Sequence, residues 1–220
     1  MAEWGEFSAA LAVFLLSHAI PVRPPVRPWL VAHLGLKGYF VAYSVLSVVI
    51  LVWLVGAAQR APFVAVLPHW EAWRWAPLLI MPLACLLAAG GMAAQNPLSF
   101  GGLGKRPFNP EYPGILAVSR HPLLAAMALW AGAHLLANGD LAHVILFGLF
   151  VGFAVMGMGL IDRRKKRDLG DTDWTHLCHK TAWFRLSALR LYPLQAAAAM
   201  AAYLALLLLH MPIIGYSPLP

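Results

Sequence analysis

The sequence predicts an all-α protein, a multi-pass transmembrane bundle of about six helices. Three observations carry that prediction. Hydrophobic residues make up 61% of the chain and charged residues only 11%, whereas a soluble domain carries about 25% charged residues to cover its surface. Six stretches, roughly 4–22, 39–58, 76–95, 115–137, 139–161 and 191–211, are apolar, and each approaches the ~20 residues a helix needs to cross the hydrocarbon core. Lys and Arg are confined almost wholly to alternate connecting segments. The length of 220 residues suits one transmembrane domain over 1–220.

Taken in order, the first stretch carries Glu3 and Glu6 where a cleaved signal peptide would carry basic residues, so it is read as a membrane helix. Pro21, Pro24, Pro25 and Pro28 end it, because proline breaks the helical hydrogen-bond ladder. The connection 59–75 holds Trp70, Trp73 and Trp75 beside His69, the composition of an aromatic belt at a membrane–water interface. Asn138-Gly139-Asp140 is so short a turn that the fourth and fifth helices must pack antiparallel. The segment 162–190 is the largest polar one, read as a basic interfacial helix followed by Trp183 and Phe184.

The connections 23–38, 96–121 and 162–190 hold fourteen of the sixteen Lys and Arg residues; the other two are Arg60 and Arg74. Basic loops stay in the cytoplasm, so both termini are expected in the periplasm of a bacterial inner membrane. This asymmetry accounts for the net charge of +7 without nucleic acid. The run Arg163-Arg164-Lys165-Lys166-Arg167 reads as a topology anchor and a contact for anionic lipid. Cys85 and Cys178 form no CxxC or CxxCH pattern, and Cys85 reads as helix packing. The chain has no NAD or flavin motif.

Nine histidines are many for so apolar a chain, and an ionisable side chain inside a membrane raises a functional hypothesis by default. His18, His121 and His134 are the candidates. His33, His69, His143, His176, His179 and His210 fall in loops or near helix ends, where solvation suffices. His134 shares a helix face with Met127, Trp130 and Asn138. The bland account of His134 is a bond to a backbone carbonyl. The functional account is axial ligation, since neutral imidazole is the usual ligand pair of heme b and an apolar bundle provides a dry pocket. His121 lies in Arg120-His121-Pro122 at the mouth of the fourth helix, where proline suits the first turn. Thirteen residues put His121 and His134 about 20 Å apart along one helix, too far to share an iron. The topology puts His18 in the cytoplasmic half and His134 nearer the outside, on the order of 10–15 Å apart in depth, so pairing of His18 with His121 stays open.

The segments Ser17-His18, Gly35 to Ser47, Ser119-Arg120-His121-Pro122, Trp130 to Asn138 and Asp162-Arg163-Arg164, in that order and spacing, resemble the NnrU family, of which plant zeta-carotene isomerase is a related branch. The resemblance implies an inner-membrane protein associated with denitrification, linked to nitrite and nitric oxide metabolism. The isomerase branch binds heme b and uses it in cis–trans isomerisation of a carotenoid. Its heme-ligand histidines correspond to His18 and His134, and its Arg-His-Pro to Arg120, His121 and Pro122. Ala131 stands where the plant enzymes carry a cysteine, and Phe153 and Ala154 where they carry histidines.

A second likeness, through Arg120-His121-Pro122, is to isoprenylcysteine methyltransferases and sterol reductases. Leu124 and Ala126 replace that motif's Tyr and Gly, and Asp162-Arg163 stands in place of its glutamate pair. The resulting expectation is a heme b protein with His18 and His134 as iron ligands, His121 as the alternative ligand, and Arg120 and Trp130 in the cofactor site. Its alternatives are a heme-dependent isomerase acting on a carotenoid or other isoprenoid, and a methyltransferase-like or reductase-like membrane enzyme. Expected partners are the lipid bilayer, an apolar substrate and denitrification proteins.

Overall fold

The computed structural model describes residues 2–68 and 70–220, with the backbone alone for Ala2 and Glu3; His69, placed by sequence in a loop, lies outside the described residues. Seven α-helices occur among them: α1 (Ala2–Ala19), α2 (Val26–Arg60), α3 (Trp75–Ala93), α4 (Pro122–Ala137), α5 (Leu141–Leu169), α6 (Asp171–Cys178) and α7 (Pro193–Ile214). All but α6 correspond to the six apolar stretches. Those long and apolar enough to cross a membrane are α2, α3 with the 3₁₀ turn Glu71–Arg74 before it, α5 and α7; α4 is apolar but shorter. The chain forms two compact units: Met1–Leu67 with Asp140–Leu146, and Pro68–Gly139 with Phe147–Pro220.

The first unit is built on the α1–α2 hairpin. α1 ends at Ala19, ahead of the prolines, and Tyr39 Oη donates to the Pro21 carbonyl at 3.2 Å. At the opposite end of the hairpin, Arg60 Nη2 meets Glu6 Oε1 at 2.6 Å and Trp53 Nε1 donates to the same oxygen at 3.3 Å. Ile50, Leu54, Ala57 and Ala58 of α2 are buried, the three-to-four spacing of one helix face. Val41, Val45, Val48, Val49 and Val52 are exposed. So much uncovered apolar surface suits hydrocarbon and not water.

Two expectations need correction. The second helix begins at Val26 and not near residue 39, because Pro28 sits in its first turn, where a missing N–H costs nothing. Within it a single residue, Gly35, leaves helical geometry, at φ 69° and ψ 164°. Only glycine adopts that conformation without strain. The basic run 163–167, read as part of a separate interfacial helix, instead continues α5 without interruption to Leu169. Gly170, at φ 80°, then turns the chain into α6.

In the second unit, Ala84 and Leu87 of α3, Leu124 and Ala125 of α4, and Ala154 and Met158 of α5 pack with Ile115, Leu116 and Val118 in one core. Cys85, a free thiol, packs with Leu86 and Ala199, as the packing reading expects. Ala199 is the only buried residue of α7, so nearly the whole surface of that apolar helix is presented to lipid. Trp70 and Trp73 stack at 5.9 Å, and with Trp75 they are exposed, consistent with an interfacial belt. A Cβ at Gly91 would stand 2.8 Å from the Pro122 ring, so the bare backbone of α3 is what lets the start of α4 approach it.

Candidate functional site

Three histidine environments follow from this scaffold. The most elaborate surrounds the start of α4. His121 is its N-cap, Pro122 its first residue, and Arg120 precedes both. Arg120 Nε donates to both carboxylate oxygens of Asp162 at 3.1 Å, and Nη2 to Oδ2 at 2.8 Å. His121 Nε2 lies 2.8 Å from Oδ1, and Trp183 Nε1 donates to Oδ2 at 2.6 Å. One carboxylate near the end of α5 therefore gathers donors from the loop before α4 and from the segment after α6.

Backbone bonds support the same junction. Arg120 N donates to Ala182 O, and Arg185 N to Val118 O, both at 2.8 Å. Asn96 Nδ2 donates to Arg120 O at 2.9 Å, while its Oδ1 accepts from Leu98 N and Ser99 N. The Trp174 ring centroid stands 5.8 Å from the Arg120 guanidinium carbon, within cation–π range.

His121 is fully buried, and its Nδ1 lies 2.9 Å from Ser99 Oγ. Burial pushes this imidazole below its ordinary value; the Asp162 carboxylate pulls it back up, and the Arg120 charge pushes it down again. In the neutral ring Nε2–H donates to Asp162 and Nδ1 accepts from the serine hydroxyl. Ser99, His121 and Asp162 are the residue types of a serine-hydrolase relay, but Ser99 is buried and the carboxylate is already paired with Arg120. A nucleophile needs an approach for its substrate, so the chain is a lock and not a relay. Both ring nitrogens of His121 and the Arg120 guanidinium are thus committed to protein partners.

His134, on α4, has Nδ1 2.8 Å from the Trp130 carbonyl. A carbonyl only accepts, so Nδ1 carries the proton and Nε2 presents its lone pair. Around it the rings of Trp130, Phe147 and Phe150 pack together: His134–Phe147 5.3 Å, Trp130–Phe147 5.6 Å and Trp130–Phe150 5.6 Å between centroids. That sequence of contacts runs antiparallel along α4 and α5, as the short Asn138-Gly139-Asp140 turn predicts.

His18, in the first unit, repeats the arrangement. Its Nδ1 lies 2.8 Å from the Phe14 carbonyl, with Ser17 Oγ 3.2 Å away. Phe14 covers the ring at 4.2 Å, Tyr43 stands edge-on at 6.0 Å, and Tyr39 stacks on Tyr43. His33 makes the same bond to Trp29 O, but it is exposed. His18 and His134 thus belong to different units, while the structure brings Arg120 and His121 together.

Sequence reasoning missed Asp162 as the centre of the polar cluster. Its available signal was an acid placed directly after the apolar run ending in Ile161, where an unpaired carboxylate is expensive. No group of three or more His, Cys, Asp or Glu that could hold a metal ion is found among the described residues. Heme ligation, which draws on one or two histidines, does not require such a group.

The comparisons with known proteins agree with the sequence motifs. The family model described as NnrU protein matches residues 6–218, which include α2 to α7, nearly all of α1, and all three histidine environments. No curated protein and no solved structure matches the chain. With the apolar helices and the family model coinciding over nearly its whole length, this membrane protein belongs to the NnrU family.

Proposed function

We propose that this NnrU-family protein binds heme b and serves redox chemistry linked to denitrification in a bacterial inner membrane, with both termini in the periplasm. The observation that carries the reading is the state of two histidines. His18 and His134 both hold Nδ1–H on a carbonyl one turn back and present Nε2 as a base. Iron-ligating histidines characteristically donate the other ring N–H to a carbonyl or carboxylate, which fixes the tautomer and raises ligand basicity. Both are partly buried on apolar helices, and Trp130, Phe147 and Phe150 give His134 the aromatic lining a flat macrocycle needs.

His18 and His134 are the ligands we assign, each judged within its own unit. Arg120 and His121 are assigned to the Asp162 lock: with Nε and Nη2 on that carboxylate, the guanidinium is already used and does not fit a heme propionate. When bound, heme b supplies a one-electron couple. The chain's own contribution is to orient two imidazoles through their Nδ1 bonds and to line the His134 side with Trp130, Phe147 and Phe150.

The test is the absorption spectrum of the detergent-purified protein after expression with heme supplied. A Soret band that sharpens on reduction, with resolved α and β bands, is the expected result. A colourless preparation that takes up no added hemin overturns the reading.

A further inference from the structure

We infer that the end of α5 holds the phosphate of an anionic phospholipid headgroup. The basic run is delivered by an unbroken helix, since α5 passes from its apolar span into Arg163–Arg167 and on to Leu169. Met156 and Leu160 on the span are exposed, so hydrocarbon reaches at least that far along the helix.

Trp183 marks where hydrocarbon ends. Its ring stands 3.6 Å from where a Cβ on Gly159 would sit, and its Nε1 donates to Asp162. An indole with its six-membered ring against an apolar helix and its N–H on the first polar residue is placed as tryptophans are placed at the bilayer interface. Exposed Phe184 lies beside it in sequence. Residues 163–171 therefore lie at headgroup depth.

At that depth the surface carries a shallow, open depression. An open hollow of about 510 Å³ is lined by Arg163, Lys166, Arg167, Gly170 and Asp171. The three bases stand at i, i+3 and i+4, which places them on one helix face. They outnumber the single lining acid three to one. Lys166 pairs with Asp171 at 3.1 Å and Arg167 with Asp168 at 3.3 Å, all of them more than half exposed. Such exposed pairs are weak, and a lipid phosphate displaces them readily. Arginine's planar fork matches a phosphate's oxygens, and each base near an anionic surface strengthens attachment roughly fivefold.

The experiment uses the full chain in a nonionic detergent, titrated at fixed ionic strength with dioctanoyl-phosphatidylglycerol, dioctanoyl-phosphatidylcholine or inorganic phosphate. Apparent affinity and the thermal midpoint are both read. We expect saturable binding and a raised midpoint with phosphatidylglycerol only. The variant Arg163→Gln/Lys166→Gln/Arg167→Gln should bind it on the order of a hundredfold more weakly, by the fivefold loss for each charge. Asp171→Asn removes the competing carboxylate and should tighten binding several-fold. Equal response to phosphatidylcholine would mean apolar contact alone, and equal response to inorganic phosphate would mean a free-phosphate site; either overturns the assignment. So does a triple variant that binds like the parent. Should that variant fail to fold, Asp171→Asn decides: unchanged or weakened binding overturns the assignment.

Discussion

Replacing Arg120 or Asp162 with alanine separates a structural lock from a decorative surface ion pair. Their side chains are 17% and 14% exposed, so removal of either leaves a largely buried charge without its partner. Breaking such a pair costs about 3–5 kcal/mol when burial is complete. The residual exposure lets water reach the orphaned group, so the lower end, about 3 kcal/mol, applies to each single variant. In Asp162→Ala the fully buried His121 also loses its acceptor, whereas Asp162→Asn keeps an oxygen there and should recover about 1 kcal/mol. The double variant leaves no orphaned charge and should cost about 4 kcal/mol, a coupling of about 2 kcal/mol. Equilibrium unfolding in mixed micelles, followed by tryptophan fluorescence, measures all four variants. Single costs below about 1 kcal/mol with coupling under about 0.5 kcal/mol would refute the lock, because that is how a solvated pair behaves.

Three further outcomes follow from particular residues. Gly35→Ala should cost about 1–3 kcal/mol in the same unfolding assay, because the strain is in the backbone and no atom crowds the new methyl; a neutral result would mean that α2 relaxes into one continuous helix. Because burial depresses His121 below 6.5, its contribution is complete above that pH and falls as pH drops through the folded value, when the unfolded chain binds the proton first. Unfolding midpoints from pH 7 to 5 should therefore decline more in the parent than in His121→Gln, and parallel declines would contradict this. Alkaline phosphatase fused at the C-terminus should be active, and fused after Arg167 inactive; the opposite pattern would reverse the proposed orientation.

Much of this fold is legible in the sequence because the hydrocarbon core imposes a length and a composition on every helix. The apolar stretches locate α1, α3 and α7 closely, whereas α4 begins only at Pro122, after the stretch expected from 115, and α5 runs on past 161 to Leu169; Cys85 packs as its surroundings indicate. Position along the chain misleads at α2, where the segment 23–38 reads as a loop, yet helix is absent only over 20–25 and within α2 only Gly35 departs from helical geometry. The candidate site is legible one residue at a time. His18, His134, Arg120 and His121 stand out as ionisable groups in apolar surroundings, and Trp130 by its spacing from His134. Their partners are not legible, since Asp162 lies 42 residues from Arg120 and Ser99 lies 22 from His121. No helical period links such separations; only tertiary packing does. Asp162 is the clearest case, a residue visible in a motif whose role depends on Trp183 and Arg120 meeting it in space.

Heme ligation by His18 and His134 is tested most directly by optical and electron paramagnetic resonance spectra of the purified parent, His18→Ala, His134→Ala and His121→Ala, compared at equal protein. We expect a low-spin, six-coordinate parent. His18→Ala and His134→Ala should each turn high-spin or lose heme, while His121→Ala keeps the parent's spectrum because its ring nitrogens serve Asp162 and Ser99. Loss of the low-spin signal in His121→Ala with none in His134→Ala, or four identical spectra, would contradict the assignment.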